Sequence, residues 1–308
     1  MPPRKAYWAK TLIAFFFLLC SKEVLAMDSA QLYKKRKWVV GVGNGVAYTG
    51  TMTGLYHLWY KGYPQSSFKF FNDNKQWGQM DKIGHAFSCY YEGVVGVDML
   101  KWAGVPRKKA IWLGGSYGFL IQSTIEVMDG FSANWGASWG DIAANAAGTG
   151  LVIGQELLWD EQRIWMKVLF APTDYAPYRP ELFGRSFVEQ LFKDYNGQSY
   201  WLSANVASFL SEDSKWPKWL NVAAGYSING FVGGDDNIYE RGGVQFDYSH
   251  IPRSRQFYLA PDIDLTRIPV KKKGWKITFR ILNCIKVPLP SIGYDSKGKN
   301  FSFNLINY

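Results

Sequence analysis

The spacing of apolar residues changes character near residue 170. Before that point, four apolar, glycine-rich stretches have helical length: 38–60, 81–102, 110–128 and 141–159. The first carries no Lys, Arg, Asp or Glu over 23 residues, a length that suffices to cross a bilayer as a helix. Its glycines at 41, 45, 50 and 54 include pairs four apart, a spacing that lets helices approach closely. Pro106 follows the end of the second stretch. Gly148, Gly150 and Gly154 make the fourth a weak helix former by itself, so it should depend on tight packing. Residues 62–79 read as a polar, aromatic connection outside the bundle. Residues 160–199 read as a bridge rich in Pro, Tyr and charge. Its prolines exclude a regular element there, apart from one short amphipathic helix at 186–193.

Beyond residue 199 the period becomes two. Strands are expected at 200–210, 219–231, 244–250, 255–267 and 301–308. Within 255–267, Phe257, Leu259, Ile263 and Leu265 share one face, and Tyr258, Ala260, Asp262 and Asp264 the other. Residues 275–285 fit a strand and an amphipathic helix equally. Five or six strands are fewer than the eight of the smallest membrane barrels. The expected fold class is therefore α+β, a Gly-rich bundle of about four helices followed by a C-terminal antiparallel β region. The expected organisation is 1–26 signal peptide, 27–170 bundle, 171–199 Pro/Tyr-rich bridge and 200–308 β-rich region.

The beginning of the chain has the order of a secretory signal. Arg4, Lys5 and Lys10 precede an apolar run at 11–20, and Val24-Leu25-Ala26 supplies small residues for cleavage. A competing reading makes Cys20 a lipid attachment point. Cleavage after Ala26 removes four basic residues and one acidic one, taking the formal charge from +10 to +7. Export excludes nucleic acid as a partner and directs the positive charge toward anionic lipid headgroups. Lys34-Lys35-Arg36-Lys37 followed by Trp38 fits an interfacial anchor or a solvated basic segment. Aromatic residues make up 17% of the chain and charged ones 19%, below the ~25% of an average soluble protein, which suits an envelope protein with partly membrane-facing surfaces. Cys89 and Cys284 sit in apolar surroundings and read as free thiols.

Three polar clusters interrupt the apolar helices. Asp81 and His85 are four apart, so they share a helix face with Glu92, while Lys82 adds a cation beside them. Glu126 and Asp129, three apart, close the third helix. Asp141 and Asn145, four apart, open the fourth. Each cluster lies near a helix end, and charges inside apolar helices are costly unless paired. One shared polar site is therefore expected, with His85 bridging to a carboxylate. It can be a structural network, with Asp81 and Asp141 capping helices, or a ligand site. If the protein is an enzyme, the catalytic candidates are His85, Asp81, Glu126, Asp129 and Asp141. No metal and no cofactor is assigned, because paired-His and Glu-x-x-His spacings are absent. Gly115-Ser116-Tyr117-Gly118 is not a nucleophile elbow, and Gly41-Val42-Gly43-Asn44-Gly45 lacks the context of a dinucleotide site.

The same clusters carry a resemblance. Asp81-Lys82-x-x-His85, Glu126-x-x-Asp129-Gly130 and Ser138-x-x-Asp141-x-x-x-Asn145-x-x-Gly148 resemble the motifs of the YfiM-like family of predicted periplasmic lipoproteins of unknown function. They also look distantly like VanZ-like membrane proteins, although residues 132–138 lack the arginine those tend to carry. With Lys193-Asp194-Tyr195-Asn196-Gly197-Gln198 and Trp201-Leu202-Ser203, the chain looks like the longer form found in Bacteroidetes-type envelopes. The resemblance covers about residues 75–155 and implies an exported location. Taken together, the expected role is a membrane-associated structural or headgroup-binding module at the outer membrane or its periplasmic face, with membrane lipid and a further envelope protein as partners. The alternatives are a lipid- or cell-wall-directed enzyme and a subunit of a larger outer-membrane assembly.

Overall fold

The computed structural model describes residues 29–61 and 64–305. The expected signal peptide and Cys20 lie outside the described residues. The first helix, α1 (Ser29–Leu55), ends in a π-helical turn at Tyr56–Tyr60. No described helix is long and apolar enough to cross a membrane. The length of 38–60 suggested otherwise, but its Gly, Thr, Tyr and Asn content dilutes the hydropathy that insertion requires. Lys34, Lys35 and Lys37 are exposed along α1, whereas Arg36 donates to the Trp102 carbonyl at 3.2 Å and stacks on its ring.

The bundle proper comprises α2 (Met80–Trp102), α3 (Arg107–Gly115), α4 (Tyr117–Gly130) and α5 (Trp139–Trp159). The stretch expected as one helix at 110–128 is thus two, broken at Ser116. Glycines set the crossings of α2. A Cβ on Gly148 of α5 would lie 2.1 Å from the Ala86 carbonyl oxygen, and one on Gly96 would lie 2.4 Å from that of Gly114. The helix backbones are in direct contact there, which only glycine permits. Gly150 and Gly154 face open space, so the tight packing expected of this helix is made at Gly148. Tyr90, Val94, Ile111, Val152 and Ile153 form the core between α2, α3 and α5, extended by Trp165 and Met166.

Trp165 and Met166 lie on β1 (Ile164–Phe170), a strand inside the segment where prolines argued against regular structure. The prolines begin only at Pro172, leaving an apolar run long enough for a strand. Two short helices follow, α6 (Pro180–Phe183) and α7 (Phe187–Lys193), the second at the expected place. The six-stranded antiparallel sheet contains β1, β2 (Gln198–Ala204), β3 (Leu220–Asn229), β6 (Ser254–Ile263), β7 (Ser291–Asp295) and β8 (Asn300–Asn304), in the order β1-β2-β3-β6-β7-β8. A separate hairpin pairs β4 (Ile238–Arg241) with β5 (Val244–Asp247). The ambiguous stretch at 275–285 is largely helix α8 (Lys273–Leu282).

One face of the sheet buries Trp201, Ala223 and Ala260 around an ion cluster in which Lys167 and Lys286 both meet Asp262, at 2.7 and 3.6 Å. On the other face Leu202, Ala224, Leu259, Ile292 and Phe303 stand opposite one another strand by strand and are exposed. At one end of that face Tyr200 and Tyr226 reach the helices. The Tyr226 hydroxyl donates to the Gly78 carbonyl at 2.5 Å, and the Tyr200 ring packs on Phe87. These contacts dock the sheet beside the start of α2, where the polar clusters lie.

Candidate functional site

The stride of four along α2 puts Asp81, His85 and Cys89 on one face, and the tight crossing at Gly148 presses that face against Asp141 and Asn145 of α5. The end of α4 brings Glu126 and Asp129 to the same end of the bundle. Ser138 organises the junction. Its hydroxyl caps α5, accepting from the Gly140 and Asp141 amides, and donates to Asp73 at 2.6 Å, while its own amide donates to Glu126 Oε2 at 2.9 Å.

Two linked groups result. The Lys82 ammonium lies 2.8 Å from Asp73, 3.1 Å from Asp81 and 3.2 Å from Asp141. Beside it, His85 Nδ1 donates to Asn145 Oδ1 at 3.1 Å, and its Nε2 faces Glu126 Oε1 at 3.6 Å. Cys89 Sγ donates to the same Asn145 oxygen at 3.4 Å. The expected convergence is therefore present, but His85 faces the Glu126 carboxyl at 3.6 Å without a hydrogen bond between them.

Two predicted members stand slightly apart. Asp129 accepts from the Tyr60 hydroxyl at 2.7 Å and the Trp135 indole at 2.5 Å. Glu92, two turns further along α2 than His85, accepts from Gln122 at 3.0 Å. Asp73 was not among the sequence candidates. It lies in the irregular connection before α2, where no periodicity marks a buried side chain.

Burial dominates the electrostatics. It pushes the Glu126 carboxyl up to about 8, with Asp141 and Asp129 adding repulsion against the Ser138 amide. Asp141 rises to about 7 through burial and the neighbouring Asp81 charge, and Asp129 to about 6 through burial. Burial also lowers His85, and Lys82 lowers it further, so its imidazole is neutral at pH 7. Lys82 moves the opposite way. Burial disfavours its charge, but the hydrogen bond to Asp73 and the charges of Asp81 and Asp141 hold it above its ordinary value.

Several buried polar atoms at the site have no protein partner, including Asp81 Oδ1, Glu126 Oε1 and Asn145 Nδ2. Four carboxyl groups surround one ammonium and one imidazole. His85, Glu126 and Asp141 each offer a donor atom within 4.8 Å of the others, as do Asp73, Asp81 and Asp141. Chemically, the first trio can exchange protons or hold a cation, and the second trio is already served by Lys82.

Immediately outside lies an exposed aromatic patch. Phe70 stacks on Trp139 at 4.6 Å, and Phe68 packs edge-on against both Phe70 and Phe131. All four rings are exposed, Trp139 to 66%. The segment carrying Phe68 and Phe70 is tied to the site by backbone bonds, Phe71 to Ala137 and Ala137 to Lys69.

Residues 69–154 match the family described as predicted periplasmic lipoprotein (DUF2279). The matched segment runs from the segment carrying Phe70 to Gly154, five residues before the end of α5, and contains every residue of both groups. The description fits an exported protein of the cell envelope. Comparison with curated proteins and with solved structures returns no match.

Proposed function

We propose that this chain is a membrane-surface module of the cell envelope, seated on lipid through its aromatic patch so that the charged site lies at headgroup depth. The observation that carries this reading is the patch itself. Phe68, Phe70, Phe71, Phe131 and Trp139 are all exposed on the segments that flank a buried ionic cluster. Aromatic rings favour the interfacial layer of a bilayer, where an apolar body and a polar surround are both satisfied. Lys61, Lys69 and Lys75 are exposed on the neighbouring segment and complement anionic headgroups. The family's description as periplasmic lipoproteins supports residence next to a membrane. The finer resemblance to YfiM-like and VanZ-like proteins belongs to the same reading and rests on the three motifs that build the site.

The test is flotation of the full mature chain with vesicles containing anionic phospholipid at 0.15 M salt. Binding that persists at 1 M salt, and falls at least tenfold in the Phe70→Ser/Trp139→Ser double variant, is expected. Complete release by salt, or wild-type binding by the double variant, refutes it.

A second reading, a lipid- or cell-wall-directed enzyme, is favoured by one observation. His85 is neutral, oriented by Asn145, and faces a carboxyl raised to about 8, a pairing suited to proton transfer near neutral pH. Loss of cellular function in His85→Ala without a change in melting temperature is its signature; matched loss of stability counts against it.

A further inference from the structure

We propose that His85 Nε2, Glu126 and Asp141 form a binding site for one divalent transition-metal cation. Sequence spacing assigned none, because the three donors lie on three different helices and leave no linear signature. In the folded chain they stand within 4.8 Å of one another. His85 Nε2 and Glu126 Oε1 are 3.6 Å apart, close to the about 3.4 Å edge of a tetrahedron built on ~2.1 Å bonds.

Three independent features point to a ligand in addition to the cluster. Glu126 is only 3% exposed, its Oε2 is satisfied by the Ser138 amide, and its Oε1 has no hydrogen-bond partner. That oxygen faces the one imidazole nitrogen that the Asn145 bond leaves free. The orientation of His85 is itself that of a ligating histidine, with the ring N–H fixed by a second group so that the other lone pair points into the site. Finally, Glu126 has no cationic partner among the described residues. Lys82 is shared among Asp73, Asp81 and Asp141, and no described lysine or arginine pairs with Glu126. No other cation competes for that carboxyl, and a divalent ion binding there takes the place of its proton. One imidazole with two carboxylates suits Zn²⁺, Co²⁺ or Mn²⁺ better than Mg²⁺ or Ca²⁺, which take oxygen donors. This inference does not depend on lipid docking.

The experiment is titration of the full mature, chelator-treated protein with Zn²⁺ and with Co²⁺, followed by calorimetry, melting temperature and Co²⁺ absorption. One site per chain, a raised melting temperature and intense visible bands of low-coordinate Co²⁺ are expected. His85→Gln and Glu126→Gln should each weaken binding at least tenfold, and Asn145→Leu by 10–100-fold, while Glu212→Gln on an exposed loop changes nothing. If Glu126→Gln fails to fold, the wild-type Co²⁺ spectrum decides alone. Absence of a saturable site, a spectrum of hydrated Co²⁺, or undiminished binding by folded His85→Gln overturns the proposal.

Discussion

Two glycines on one helix, two residues apart, should respond in opposite directions to the same added methyl group. In Gly148→Ala the new Cβ would stand 2.1 Å from the Ala86 carbonyl oxygen and 2.8 Å from its carbon. Those atoms belong to the α2 backbone and cannot rotate away, so the helices must separate by about an ångström. Overpacking of this kind costs about 1–3 kcal/mol, and the upper end applies where backbone is the obstacle. The better helix propensity of alanine returns about 1 kcal/mol, leaving a net loss of about 2 kcal/mol. In Gly150→Ala the methyl meets nothing within 4 Å, so only the propensity gain of about 1 kcal/mol remains. At roughly 2 °C per kcal/mol for a chain of this size, melting should fall by about 4 °C in the first variant and rise by about 2 °C in the second. Thermal melts followed by circular dichroism measure both. The first change also separates Ala86 from α5 next to the His85–Asn145 bond, so metal binding should weaken in Gly148→Ala and not in Gly150→Ala. Equal stabilisation by both substitutions would refute the close crossing on which the site's assembly rests.

Three further outcomes follow from the buried charges. Asp262→Asn leaves two buried ammonium groups, Lys167 and Lys286, without their carboxylate and should cost about 3–5 kcal/mol in chemical denaturation. Glu92 is pushed up to about 8 by burial, outweighing the Gln122 hydrogen bond. Below pH 4.5 folded and unfolded chains both hold its proton, and between 4.5 and about 8 only the folded chain does. Its contribution therefore falls as pH rises through that window, by up to about 1.4 kcal/mol per pH unit, and levels off above it. Glu92→Gln should match the wild type near pH 4.5 and exceed it in melting temperature at pH 8; parallel profiles would exclude a raised Glu92. Ser138→Ala removes the α5 cap and the bond to Asp73 and should lower stability by about 1–2 kcal/mol. Restoration by Ser138→Thr would identify the hydroxyl as the cause.

The sequence by itself determined the fold class and much of the site. Helical and two-residue periods are local consequences of where side chains point, so α2, α5, α7, β3 and β6 were legible within a few residues. Spacings of three and four within a helix likewise fixed which members of each cluster share a face: Asp81 with His85, Glu126 with Asp129, Asp141 with Asn145. Some local signals were too weak to read. Ser116 breaks an otherwise continuous apolar run, β1 is an unalternating apolar stretch just before the Pro-rich bridge, β7 has a central glycine and follows Pro288 and Pro290, and α8 has a pattern that fits two periods. Only the tertiary structure decided that Gly148, rather than Gly150 or Gly154, is the contact glycine, because that depends on which side of α5 meets α2. It also brought in Asp73 from an irregular connection, gave Lys82 three carboxylates, and turned Glu126 toward His85. Apart from the neighbouring Asp81 and Lys82, those pairings join residues 9 to 59 positions apart, and no periodic signal spans such distances; they exist because burying the apolar faces of α2, α4 and α5 leaves their polar ends nowhere to go but against one another.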